Sequence, residues 1–389
     1  MLILPAFTIV YGQEKKIYVY DLVEKSLDSL PIVAYDTLLS NNKTDFSMGH
    51  FDFKTIHLQQ TPPITNVYPS SNFTYKKRAS PDYDIKQFPI RTSVKLSRVK
   101  NDTVYSLCSG SMISRRHVLT AAHCVSDLQT HILKVDSLKV SPAYDNGNNN
   151  SHFKSSYVRK VYLFKNWNLT KDDFSILELE EPLGNKTGWI SIGYENNDSL
   201  LKNGIFYKFS YPAKTILEID SNEYNGDTLY YSYGMVDIVN DNSIGITKAN
   251  GIPGESGSSI IKVVNETDYT TYGVTSTIAN FIHCKIKDWQ FYAFKNIIAN
   301  DLFLTDPMEG KHGKLIVYPN PVSTHLYFDS PYNYEIVELL VIDNIGRIIQ
   351  EVRSFDNYSG LNVSHLPGGL YYLNVLTKDG KHTFKFMKE

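Results

Sequence analysis

Past its first residues the chain has no run approaching the roughly 18 consecutive apolar residues that a membrane-spanning helix needs, which excludes a helical membrane protein. Neither charge is in excess: 39 Lys and Arg stand against 41 Asp and Glu, a formal net charge of −2. Partners held by bulk electrostatics, nucleic acid or an anionic membrane surface, are therefore not expected. Cysteine is scarce as well, at three: Cys108, Cys124 and Cys284. An odd number in an exported chain permits one disulfide and leaves one thiol over. Regular alternation of strands and helices is also missing, which excludes a parallel α/β fold.

What is present is globular. With 389 residues, 42% of them hydrophobic, the chain has enough material for two or three folded units. It starts MLILPAFTIVYGQEKK, and residues 1–13 read as the apolar core and cleavage region of a secretory signal peptide without a basic leader. Residues 14–78 then form a propeptide or N-terminal extension, closing on the polar, Pro-punctuated stretch QQTPPITNVYPSSNFTYKKRASPDYD, a linker whose Lys76 to Arg78 is a candidate processing site. From Phe88 onward, short β-branched and aromatic runs such as VYSLCSGSMI, FSILELEEPL and TTYGVTSTI alternate with Asn, Asp and Gly turns, the pattern of an all-β barrel or sandwich. One helix is expected, over Asp288 to Phe303, where Trp289, Phe291, Phe294, Ile297 and Ile298 recur at helical spacing. After TDPMEGKHGK the β pattern restarts, giving a separate domain over 315–389 with hairpin turns at 343–346 and at Asp379-Gly380.

Three short motifs carry chemistry. In CSGSMISRRHVLTAAHCV, a strand runs into Ala121-Ala122 and delivers His123 at its exit, the side chain whose unperturbed pKa suits a general base near neutrality. Cys108 and Cys124 lie one strand, turn and strand apart; bridging them clamps the loop that bears His123 and leaves Cys284 free. In TKDDFSILELEEPL, Asp173 adjoins an apolar strand and is better placed than Asp172 to be buried and to accept the far N–H of an imidazole. In NGIPGESGSSI, Ser256 is a candidate nucleophile, with the N–H groups of Gly254 and Ser256 as an oxyanion hole. The order His, Asp, Ser, with Ser258 where a nucleophile elbow needs glycine, excludes an α/β-hydrolase.

LTAAHC, DDFSILEL and GESGSS, in that order, resemble the trypsin-like serine peptidases, in particular the bacterial branch near the glutamyl endopeptidases. The resemblance implies an all-β, chymotrypsin-like double β-barrel over residues 79–307, with His123 as base and acid, Asp173 as its orienting partner, Ser256 as nucleophile and no cofactor or metal. It also puts Asn250, Thr275 and Ser276 on the specificity pocket, with neither the acid that would select Lys or Arg nor the histidine of a glutamate pocket. Glu255 departs from the family's usual aspartate, which bears on activation by a newly formed N-terminus. The segments VYPNPVSTHLYF, IDNIGRIIQ and LNVSHLPGGLYYLNVLTKDGKHTFKFMKE resemble the type A C-terminal sorting domain of type IX secretion. That implies a small immunoglobulin-like β-sandwich, export through the periplasm and across the outer membrane, the secretion machinery as partner, and a secreted or cell-surface location. The expected function is a secreted serine endopeptidase acting on proteins or peptides through an acyl-enzyme; the competing reading is an inactive pseudoprotease or adhesin that uses the barrel as a binding scaffold.

Overall fold

The structure, a computed structural model, describes residues 16–31, 42–44, 58, 73–74, 76–101, 103–148, 153–202, 204–213, 224–247, 249–263, 268–277, 279–300, 316–329, 336–343, 346–353, 360–377 and 380–389. The expected signal segment 1–13, most of the linker and the interior of the two expected hairpin turns lie outside these residues. The strands beside those turns pair antiparallel up to Ile342 with Ile348 and Thr377 with Gly380.

Strand pairing closes the first unit into a barrel whose strands are buried on both faces over much of their length. Strands Ser93–Lys100, Thr103–Met112, His117–Thr120, Leu138–Pro142, Ser156–Phe164 and Ser175–Leu179 pair in a cycle, closed where Ser175–Leu179 meets both Ser156–Phe164 and His117–Thr120. Val94, Leu96, Leu119, Val140, Val161, Ile176 and Leu177 belong to its buried core, Leu119 with Ile176 on one face of the sheet and Val161 with Leu177 on the other. The second unit is a ten-stranded sheet that curls without closing among the described residues. Its centre, Phe206–Ser210, Ser259–Val263 and Tyr269–Thr275, buries Tyr207, Phe209, Ile261 and Tyr269 on one side and Phe206, Ile260 and Tyr272 on the other. Two faces in separate clusters explain why apolar residues run almost continuously in these strands. This is the all-β, chymotrypsin-like pair of barrels expected from the sequence, the second a curled half-barrel.

The expected helix spans Asp288–Asn300, and its apolar stripe lies on the first barrel, Phe294 against Phe174 and Phe164, and Phe291 against Tyr194. Four further one-turn helices, among them Ala122–Val125 and Asp198–Lys202, are too short for a periodic signal. No helix among the described residues is long and apolar enough to cross a membrane. The C-terminal unit stacks a three-stranded on a four-stranded antiparallel sheet around Leu326, Leu339, Val341, Leu361, Leu373 and Phe386, a small β-sandwich.

Segments ahead of the barrels are sewn into them. The hairpin Lys16–Asp21 with Ser26–Pro31 pairs through Ile17 to Asp21 with Phe164 to Lys160, along the edge that the barrel strand Leu138–Pro142 leaves open after its contact at Ser156 and Tyr157. Asn42–Thr44 pairs with Ser191–Glu195. The candidate processing site Lys77–Arg78 is itself a strand, paired with Tyr231 and Tyr230.

One core histidine couples this barrel to pH. His117 is fully buried, its Nδ1 2.7 Å from the Ser114 hydroxyl. Burial, helped by Lys160 and two arginines and opposed by Glu178, pushes it down from 6.5 to about 4. A folded-state value below the unfolded one means that the unfolded chain protonates first as pH falls. The stability held by neutral His117 is complete above 6.5 and is lost down to about 4. Urea titration at pH 7 and pH 5 should show a loss of about 2 kcal/mol that is absent from His117→Gln; equal losses in the two proteins would refute the assignment.

Candidate active site

Strand Thr103–Met112 organises the site. Cys108 is bonded to Cys124, one residue past His123 on the one-turn helix Ala122–Val125, while Cys284 is a buried free thiol that burial, and then Asp173, raise well above its ordinary value. The disulfide therefore holds the histidine turn against the strand, as expected from the spacing. Because the two sulfurs bond each other, Cys108, His123 and Cys124 cannot serve together as a thiolate metal site. The next residue, Ser109, crosses to the second barrel. Its N–H donates to the Ser256 carbonyl (2.9 Å), its hydroxyl donates to the Gly254 carbonyl (2.8 Å) and accepts the Tyr211 N–H (2.8 Å), and its carbonyl accepts the Thr120 hydroxyl (2.8 Å).

Asp173 is fully buried where the chain enters strand Ser175–Leu179. One carboxylate oxygen accepts the His123 backbone N–H (2.9 Å) and the other faces His123 Nδ1 at 2.7 Å. A carboxylate can only accept, so Nδ1 carries the proton and Nε2 is left as the basic nitrogen. The Ser276 hydroxyl reaches the same Asp173 oxygen and lies 2.5 Å from the Leu169 carbonyl. Asp172 is buried too: it turns the chain at φ 61°, and its side chain accepts from Gln290 Nε2 (2.6 Å) on the helix that covers the barrel.

The serine turn is shaped by close approach. Gly254 and Gly257 have φ of +87° and +80°, and a Cβ on Gly257 would lie 2.0 Å from Thr120 Oγ1 and 2.8 Å from the Ala121 nitrogen. The backbone beside Ser256 is thus pressed onto the segment leading to His123. The N–H groups of Glu255, Gly257 and Ser258 all find carbonyls, those of Ile252, Thr275 and Glu255; among the described residues the N–H groups of Gly254 and Ser256 donate to none.

Glu255 is buried, with four donors. Oε1 faces Lys208 Nζ (3.2 Å) and the Ser210 hydroxyl (2.9 Å), while Oε2 faces the Ile252 N–H (2.6 Å) and Lys76 Nζ (3.4 Å). Burial alone would raise this carboxyl, but Lys208 and Lys76, with the Ile252 and Ser210 donors, outweigh it and hold the group below its ordinary range.

The three expected pocket residues each make a bond of their own. The hydroxyl of Ser276 is turned to Asp173, that of Thr275 bonds Ser258, and the carbonyl of Asn250 accepts from Lys76 Nζ (2.9 Å). Ser109 and Lys208 do not stand out in the sequence, and Lys76 does so only as part of a basic cluster; the three lie 145, 47 and 179 positions from the residues they bond.

A closed barrel presenting a histidine bonded to a buried carboxylate, joined to a second curled barrel presenting a serine between two positive-φ glycines, defines the chymotrypsin-fold class. The chain belongs to the trypsin family, whose model, described as Trypsin, matches residues 80–293. Residues 316–389 match the Secretion system C-terminal sorting domain. The chain is 25% identical to Serine protease 23 of Bos taurus over 259 residues, covering 59% of this chain and 61% of that protein. It is 30% identical to Chymotrypsin-C of Mus musculus over 92 residues, 23% of this chain and 32% of that one. The chain thus spans less than two thirds of the length of these curated relatives. A solved structure, "Structure of Glu endopeptidase in complex with MPD", is similar over 57% of this chain and 95% of that chain at 18% identity, with a TM-score of 0.46.

Ser109→Ala would strip the buried Tyr211 N–H and Gly254 carbonyl of a shared partner. The expected cost is about 2 to 4 kcal/mol, read by urea unfolding, with slower reaction at Ser256. A change below about 0.5 kcal/mol would show that the stitch is not a structural link.

Proposed function

We propose that the protein is a secreted serine endopeptidase working through His123, Asp173 and Ser256. Ser256 Oγ attacks a peptide carbonyl while Nε2 of His123 takes its proton. The imidazolium that results is stabilised by Asp173, whose carboxylate is held in turn by Ser276. The oxyanion accepts the N–H groups of Gly254 and Ser256, each such donor contributing about 10² to 10³ in rate. His123 then protonates the departing amine, leaving an acyl-enzyme, and a water activated by the same imidazole releases the acid and restores Ser256. The observation that carries this reading is the His123–Asp173 pairing at 2.7 Å, set beside a serine turn whose two candidate oxyanion donors make no bond within the described residues.

The pocket for the substrate side chain is proposed to have an uncharged wall on the side of Asn250, Thr275 and Ser276, since none of the three carries a charge. Protein or peptide substrates, a peptidase domain within 79–307 and a sorting domain over 315–389 handed to type IX secretion machinery complete the proposal, which needs no cofactor. The sorting domain supports passage through the periplasm and outer membrane to the medium or the cell surface.

A fluorophosphonate probe should label the wild-type protein at Ser256 and leave Ser256→Ala unlabelled. Hydrolysis of a peptide library should fall by about 10⁴ or more in Ser256→Ala and in His123→Ala. Absent labelling, or equal labelling of wild type and Ser256→Ala, would overturn the reading in favour of an inactive binding scaffold.

A further inference from the structure

The segment just ahead of the family domain contributes to the serine turn. Phe73 and Thr74 are buried, and Thr74 exchanges bonds with Tyr233, its N–H donating to the Tyr233 carbonyl (2.8 Å) and its hydroxyl accepting the Tyr233 N–H (2.9 Å). Lys77 and Arg78 pair with Tyr231 and Tyr230, and the Ala79 N–H donates to the Leu229 carbonyl (2.8 Å). This backbone is committed to a sheet, whereas a processing protease needs an extended segment that it can itself pair with. Lys76 points inward from the strip, its side chain 5% exposed. Its ammonium donates to the Asn250 carbonyl (2.9 Å), faces Glu255 Oε2 (3.4 Å) and lies 4.6 Å from the centroid of the Phe281 ring, on which Lys208 also rests at 3.6 Å. One side chain thus ties together both ends of the stretch that leads into Ser256.

We propose that Lys76 is a positioning residue of the peptidase: from the uncleaved chain it supplies a cation that holds Glu255, and so the Gly254–Ser256 turn, in its working shape. The protein is then active without a cut at Lys76 to Arg78, and a cut there weakens it. Two ammonium groups already meet the buried carboxylate of Glu255, so no new chain terminus is needed to neutralise it. Cleavage after Arg78 would put its new ammonium on Ala79, a buried residue whose nitrogen is bonded to Leu229, and would leave Lys76 on a strip held only by non-covalent contacts. The inference rests on the peptidase reading for its effect on rate, but its effect on the turn can be measured without it.

The test compares the full chain with Lys76→Met, which keeps the stem and removes the charge, with Lys76→Arg, and with a Lys77→Gln/Arg78→Gln double variant that removes the two exposed basic side chains of the candidate processing site. Two readouts are taken: amide hydrogen exchange over residues 252–258, and the rate of fluorophosphonate labelling at Ser256. Lys76→Met should exchange and label with changes of about tenfold or more, faster and slower respectively, while its thermal midpoint shows that it is folded; Lys76→Arg should recover most of both. The double variant should label as fast as wild type with its N-terminal segment still attached. Unchanged exchange and labelling in Lys76→Met, or labelling that appears only once the chain starts at Ala79, would overturn the proposal. Faster exchange in Lys76→Met, alongside a wild type that never labels, would uphold Lys76 as the support of the turn and sink the peptidase reading instead.

Discussion

The arrangement depends on Ser109. Two β-barrels have no inherent register with each other, since each satisfies its own backbone, and a site shared between them needs bonds that specify how they meet. Ser109 supplies three, to Ser256, Gly254 and Tyr211, and the two made by its hydroxyl, to Gly254 and Tyr211, are buried, where water offers no alternative partner. Because its neighbour Cys108 is bonded to Cys124, the same strand that grips the serine turn also grips the histidine turn. Gly257 allows this closeness, since any side chain there would strike Thr120 and Ser109.

Burying charge this close to the Ser256 turn is costly unless every charge is met. At Asp173 the cost is offset by the His123 backbone, the His123 ring and Ser276, and at Glu255 by two lysines, a hydroxyl and a backbone N–H. The two carboxylates are treated alike by the fold but do different things. Asp173 orients a side chain, whereas Glu255 orients backbone, accepting the Ile252 N–H and thereby shaping the loop that presents Gly254.

Local features of this site were legible in the sequence and distant ones were not. His123, Asp173 and Ser256 each sit in a motif whose neighbours advertise the setting: small alanines, an apolar strand, flanking glycines. The disulfide followed from one short spacing, and the covering helix from the helical recurrence of Trp289, Phe291, Phe294, Ile297 and Ile298. The bond of Ser276 to Asp173, 103 positions away, is not legible, because a serine after a strand carries no mark of where its hydroxyl turns. Lys76 was read as part of a basic cluster in a linker, since three successive cations look solvated unless one knows that the strand pairs them and that alternation sends the first inward. The open second barrel was equally hidden, because strand patterning reports which faces are buried and not whether the last strand meets the first.

The same logic applies to the rest of the N-terminal region. Lys16–Asp21 continues a barrel edge, Asn42–Thr44 adds to Ser191–Glu195 and Lys77–Arg78 to Tyr230–Gly234. Exposed edges invite pairing with other chains, and covering them with the protein's own strands is a standard solution. Lys160 to Phe164 lies where this matters, because Leu138–Pro142 pairs only as far as Tyr157 and leaves the remainder of that edge open. The described strands ahead of the family domain thus extend its sheets, and the buried ammonium of Lys76 is where that strip reaches the serine turn.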